Sequence, residues 1–197
     1  MVVLISREYG SGGRVIGKKV AEKLGYSFYD KEMISKVAEE TGLSENYIKE
    51  HGEHSKTSSI FSYSFSPRDE AGMSLEDVVM NAQTKVIKKI AENENAVIVG
   101  RCADYILRDK TYKLSVFIYG YEKEKVERIM GLRNVSETEA LKIIKEMDKR
   151  RSINYKYYTD NKWGYRGNYD MLLNSSTLGY DKVVDIICDT VKTKFGM

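Results

Sequence analysis

Residues 1–24 read MVVLISREYGSGGRVIGKKVAEKL, and this stretch decides the fold. An apolar, largely β-branched run (Val2, Val3, Leu4, Ile5) ends in a glycine-rich turn, Gly10-Ser11-Gly12-Gly13. An amphipathic helix follows at once, with Ile16, Val20, Ala21 and Leu24 on one face. Strand, glycine loop and helix in that order build a phosphate cradle. Glycines let successive backbone N–H groups turn toward one anion, and the exposed amides of the helix start add a positive dipole. Arg14, in the first helical turn, is the cation expected to reach that anion. A plain strand–helix turn is the alternative.

Two known loop patterns compete for the same residues. The dinucleotide fingerprint G-x-G-x-x-G fits Gly10 and Gly12 but meets Val15 where its third glycine belongs. The pattern G-x-x-x-x-G-K-[ST] fits Gly12 to Lys18 literally and fails at Lys19. That register also buries Gly17 and Lys18 in a helix whose apolar stripe begins at Ile16. The register compatible with the helix puts the loop at Gly10–Gly13 and lacks both the lysine and the magnesium-binding hydroxyl. The loop is a degenerate phosphate loop.

Composition bounds the rest. A chain of 197 residues suits one domain with a substantial core. A net charge of +3 among 31% charged residues is mixed rather than biased, which argues against a dedicated nucleic-acid binder and not against nucleotides. Cys102 and Cys188 lie far apart, without ligand spacing, so neither zinc nor a disulfide scaffold is expected. No signal peptide and no apolar run of spanning length is read, so a soluble, cytoplasmic protein without a membrane partner is expected.

Further along, strands and helices alternate. Tyr26–Tyr29 reads as a short strand ending at Asp30, followed by a helix from about Lys31 through Met33, Ile34, Val37 and Ala38. Ser44 reads as an N-cap with Leu43 and Ile48 as a hydrophobic staple. Residues 52–73, serine-rich with Pro67 and alternating Phe61, Tyr63 and Phe65, read as a functional flap or as disorder, the two usual fates of so long a loop. His51 and His54 beside it read as solvated. Ser74 with Asp77 opens the next helix, whose face is Val78, Val79, Ala82, Val86, Ile87 and Ile90. Ala96–Val99 has the continuous apolar character of a strand buried on both faces. A short helix over Ala103–Leu107, a strand at Leu114–Tyr119, a helix opened by Ser136 and Glu139, a strand at Tyr169–Leu173 and a helix at Tyr180–Lys194 complete the series. The alternation specifies an α/β doubly wound parallel sheet of five strands.

SREYGSGG at 6–13, FYDKE at 28–32, VIVGRCADYIL at 97–107 and NYDMLLNSSTLGYDKVVDII at 168–187 together resemble the cytidylate kinase-like branch of the nucleoside monophosphate kinases, within the phosphate-loop (P-loop) NTPases. The resemblance covers nearly the whole chain. It implies a three-layer sandwich around a parallel sheet of order 2-3-1-4-5. It also implies phosphoryl transfer from ATP with Mg2+, often to a pyrimidine nucleoside monophosphate.

Arg101 stands at the carboxyl end of the Ala96–Val99 strand, where open α/β sheets bind ligands. A guanidinium fork there suits an acceptor phosphate. The resembled kinases hold the monophosphate with Gly-Arg-Asp, which Gly100-Arg101 match and Cys102 breaks. A structural pairing, for example with Asp104, is the other reading. Asp30 ends the second strand and reads either as a substrate- or magnesium-water-orienting carboxylate or as a helix cap. Glu8 reads as a magnesium- or water-positioning group or, more readily, as a solvated charge. Arg150 and Arg151, late in the long helix before an irregular aromatic stretch, resemble lid arginines that neutralise a transferring phosphoryl group. A basic turn offsetting the helix dipole is the alternative. Residues 155–169 hold six aromatics among Lys156, Lys162 and Arg166, and read as a lid tail or a homodimer contact before a nucleic-acid surface. Asn174 and Ser175, after the last strand, match the family's loop near the nucleotide base, or form a cap and turn.

The expectation is one P-loop kinase-like domain with a flap at about 52–73 and a lid at about 148–168. Gly10, Ser11, Gly12, Gly13 and Arg14 cradle the donor phosphates, Asp30 and Arg101 hold a small nucleotide acceptor, and Arg150 or Arg151 meets developing charge. Metal ligands are not assigned. A nucleotide-binding regulator without turnover and a partner-binding module are the competing classes.

Overall fold

The computed structural model describes residues 1–30, 32–46, 48 and 74–196. The flap at 52–73, with His51 and His54, lies outside the described residues. Five parallel strands form one sheet of order β2-β3-β1-β4-β5, as expected. They are β1 (Val2–Arg7), β2 (Ser27–Tyr29), β3 (Ala96–Val99), β4 (Lys113–Tyr119) and β5 (Met171–Asn174). The helices between them are α1 (Gly13–Leu24), α2 (Glu32–Thr41), α3 (Leu75–Asn93), α4 (Ala103–Ile106), α5 (Glu122–Arg133), α6 (Glu137–Thr159), α7 (Ser175–Leu178) and α8 (Tyr180–Phe195).

Strand periodicity explains why β1 is apolar throughout. Val2 and Leu4 face a core shared with α2, α3 and α4, while Val3 and Ile5 face the opposite core shared with α1 and α8. A strand covered on both sides has no solvent face, so it reads as a continuous apolar run. A third cluster, Val126, Ile129, Ala140 and Ile144, joins α5 to α6. Ser74 caps α3 by accepting from the Asp77 N–H at 3.2 Å, and Ser136 caps α6 by accepting from the Glu139 N–H at 3.3 Å. Leu43 and Ile48 both pack on the α2–α3 core. No helix among the described residues is long and apolar enough to cross a membrane.

Three local expectations are corrected. Helix α5 has no counterpart in the sequence reading, because only Val126 and Ile129 of its residues are buried and two positions make no stripe. Residues 155–159 are not irregular: α6 runs to Thr159. The last strand begins at Met171 rather than Tyr169, whose ring packs from a preceding turn onto Phe117, with centroids 5.0 Å apart. The aromatic stretch is therefore partly core. Tyr155 and Tyr169 are buried and Trp163 meets Phe117 edge-on, whereas Tyr157 and Tyr165 are exposed.

Candidate active site

The carboxyl ends of β1, β3 and β4 carry the glycine loop, the Gly100–Cys102 turn and Gly120. Gly10 and Gly12 lie in the left-handed region, at φ +85° and +81°. A Cβ on Gly12 would stand 2.3 Å from the Tyr180 ring, and one on Gly13 would stand 2.6 Å from the Arg7 Cβ. No side chain therefore fits at either position without displacement. Gly12 is the N-cap of α1 and supplies no side-chain cap, so the first-turn amides have no side-chain acceptor there. A helix start of this kind favours an anion. The loop is fastened from behind: Ser11 Oγ donates to the Glu8 carbonyl at 2.9 Å, and Ser175 Oγ to the Ser11 carbonyl at 2.7 Å.

Three cation–carboxylate pairs surround this loop. Arg14, half exposed at the start of α1, pairs through Nε with the nearly buried Asp30 at the end of β2. Lys125, on α5, donates to Glu8 Oε2 at 2.7 Å, and the Gly120 N–H reaches the same oxygen at 3.3 Å. Glu8 is thus a paired charge, not a solvated one. Arg151 is buried on α6, donates to the Arg7 carbonyl at 3.0 Å and lies 3.6 Å from Asp148 Oδ1. That carboxylate in turn accepts from the Tyr9 N–H at 2.7 Å. Burial pushes the Asp148 carboxyl up, against the Tyr9 N–H and the Arg151 charge, which hold it down.

The turn after β3 has three successive left-handed residues: Gly100 at φ +77°, Arg101 at +62° and Cys102 at +53°. Each non-glycine residue there costs about 1–2 kcal/mol, and such outliers cluster at functional sites. The outcome is a buried Arg101 whose Nη1 donates to Gln83 Oε1 at 3.4 Å. Asp104 is engaged elsewhere. Its Oδ2 accepts from the Tyr155 hydroxyl at 2.6 Å and its Oδ1 from Ser6 Oγ at 3.4 Å. Burial pushes this carboxyl up, opposed by those two donors, and burial likewise raises the Tyr155 and Tyr169 hydroxyls. Asp104 so joins the start of α4, the end of β1 and α6.

Arg14 meets Asp30, Ser175 meets Ser11, and Arg151 meets the end of β1, while Arg101 sits in the turn after the adjacent β3. Arg150 faces outward, 4.0 Å from Glu146. Asn174 caps α7, accepting from the Ser176 and Thr177 N–H groups at 3.0 and 3.3 Å. Sequence reading missed Lys125, Gln83, Asp148 and Tyr155. None of the four belongs to a local sequence motif for the site, and only the topology brings them in. Among the described residues no group of three or more His, Cys, Asp or Glu side chains could hold a metal by itself. A cavity of about 260 Å³ is lined by residues that include Asp104, Arg108, Lys113, Tyr155 and Tyr169.

The model of the cytidylate kinase-like family matches residues 2–177. An uncharacterized protein from Eubacterium ventriosum is similar at 29% identity, with a TM-score of 0.76 over 98% of this chain and 99% of that one. Shikimate kinase from Bacteroides thetaiotaomicron superposes with a TM-score of 0.56 at 16% identity, over 98% of each chain. A gluconokinase from Sinorhizobium meliloti gives 0.53 at 14% identity, over 98% of this chain and 91% of that one. At such identities the two kinases show the fold alone, which is the P-loop kinase fold. No match was found among curated proteins.

Proposed function

The chain belongs to the cytidylate kinase-like family, and from that premise we propose that it transfers the terminal phosphoryl group of magnesium ATP to a nucleoside monophosphate of the CMP type or a related small acceptor. One juxtaposition carries the reading. A buried arginine is held at the end of β3 by a strained turn, beside a glycine-led helix start that has no side-chain cap.

The Gly10–Gly13 amides and the α1 dipole take the donor phosphates, with Arg14 at the loop's open side. Arg101 presents its fork to the acceptor phosphate, and Arg14 pairs with Asp30 at the end of β2. Arg151 stabilises charge that develops on the moving group, and Arg150 is the outward partner that a closing lid would bring in. Asn174 and Ser175 border the donor side. Phosphoryl transfer requires mainly positioning and electrostatics, so no covalent nucleophile is needed. The donor set fits magnesium arriving with the nucleotide: an oxygen ligand such as the nearly buried Asp30, not an all-protein cage. Bound there, the ion would neutralise β- and γ-phosphate charge.

The missing loop lysine and hydroxyl favour a second reading, a nucleotide-binding regulator that turns over weakly. A coupled ADP assay over CMP, dCMP, UMP, AMP and simple hydroxylated metabolites separates the two. Turnover with one acceptor, abolished in Arg14→Ala and Arg101→Ala, supports the kinase. Thermal stabilisation by magnesium ATP without ADP formation supports the regulator.

A further inference from the structure

We propose that Lys125, on α5, supplies the donor-phosphate cation that the glycine loop itself lacks. The inference rests on the reading of Gly10–Gly13 as a phosphate loop and assigns a residue that no loop pattern contains. The lysines of α1 do not serve. Lys18 pairs along the helix with Glu22 at 3.7 Å, Lys19 with Asp181 at 2.6 Å and Lys23 with Asp185 at 2.6 Å. Arg14 is drawn to Asp30, at the end of β2, on the far side of β3 from β1.

Lys125 approaches from the β4 side, opposite Arg14. Its backbone and stem lie directly against the loop: a Cβ on Gly10 would stand 3.0 Å from the Lys125 Cβ and 3.2 Å from its Cα. The side chain is only 11% exposed, and its ammonium ends 2.7 Å from Glu8 Oε2 in the first residues of the loop. Glu8 Oε2 also takes the Gly120 N–H. The carboxylate thus holds a place where backbone N–H and ammonium donors converge, which is the donor set that a phosphate oxygen takes. An ammonium has three donors, so a phosphate can share it with Glu8 or displace that carboxylate. The half-buried setting strengthens the attraction over what an exposed lysine gives. The missing charge returns from a neighbouring helix.

The test separates a phosphate cation from a structural tie to Glu8. Binding of magnesium ATP and of inorganic tripolyphosphate is measured by calorimetry on the full chain, for wild type, Lys125→Met and Glu8→Gln, with folding checked by circular dichroism. The proposal expects Lys125→Met to weaken both ligands at least about tenfold, while Glu8→Gln, which frees the ammonium, binds them equally or more tightly. Lys125→Met within about twofold of wild type overturns it. Equal losses in the two variants also overturn it, because they mark a tie whose either end matters. If Lys125→Met does not fold, Glu8→Gln decides alone: retained or tighter binding supports the proposal and weaker binding overturns it. A folded wild type that binds neither ligand overturns the phosphate-loop reading itself, and this inference with it.

Discussion

Tyr155→Phe removes one atom from the junction of α6, α4 and β1, and its cost follows from the geometry. The Tyr155 ring is buried and remains so in the variant, so almost no apolar contact changes. What goes is the hydroxyl that donates to Asp104 Oδ2 at 2.6 Å, the length of a charge-assisted O–H···O bond. Such a bond is worth about 1.5–3 kcal/mol, and its loss leaves the buried carboxyl with Ser6 at 3.4 Å. For a chain of this size that corresponds to a fall in Tm of about 3–12 °C. The fall is larger above the raised range of the Asp104 carboxyl than below it, since a protonated Asp104 needs its donor less. Urea unfolding of Tyr155→Phe, Asp104→Asn and the double variant measures it, with a coupling of about 1 kcal/mol or more expected between the two positions. A cost below about 0.5 kcal/mol at every pH, or strict additivity, would refute the assignment of Asp104–Tyr155 as the tie between α6 and the turn after β3.

Other outcomes follow from the same structure. Asp104 and Asp148 both sit above their ordinary range in the fold, so between that range and the raised values the native chain binds more protons than the unfolded one. Stability therefore falls as pH rises through that interval, and Asp104→Asn flattens the slope of the urea midpoint against pH. Gly12→Ala puts a methyl 2.3 Å from the Tyr180 ring at φ +81°, costing more than the 1–2 kcal/mol of the backbone alone; stabilisation by magnesium ATP, read as a Tm shift, is expected to vanish. Arg101→Lys keeps the charge and loses the fork, so KM for the acceptor is expected to rise about tenfold while KM for ATP stays near wild type.

The sheet was legible because β1, β3 and most of β4 are buried on both faces and announce themselves as apolar runs, and Ser74 and Ser136 mark helix starts by chemistry. Helix α5 was not legible: Val126 and Ile129 are its only fully buried residues, too few for periodicity to carry a signal. Tyr169 misled the strand boundary because an aromatic ring buried from a turn looks, in sequence, like one buried from a strand. Within the site, Arg14, Asp30 and Arg101 were visible singly, by their places after strands or at a helix start. Their partners were not. The Arg14–Asp30 pair needs the β2-β3-β1 order, and Lys125 with Glu8, or Tyr155 with Asp104, joins residues 117 and 51 positions apart.

The central claim is transfer between two bound phosphates, and ³¹P NMR of the protein with magnesium ATP and CMP follows it directly. The account predicts acceptor-dependent growth of ADP and a nucleoside diphosphate in equal amounts, absent from Arg101→Ala. A spectrum unchanged with CMP and with every other acceptor of the panel, or one yielding only ADP and inorganic phosphate, would contradict it.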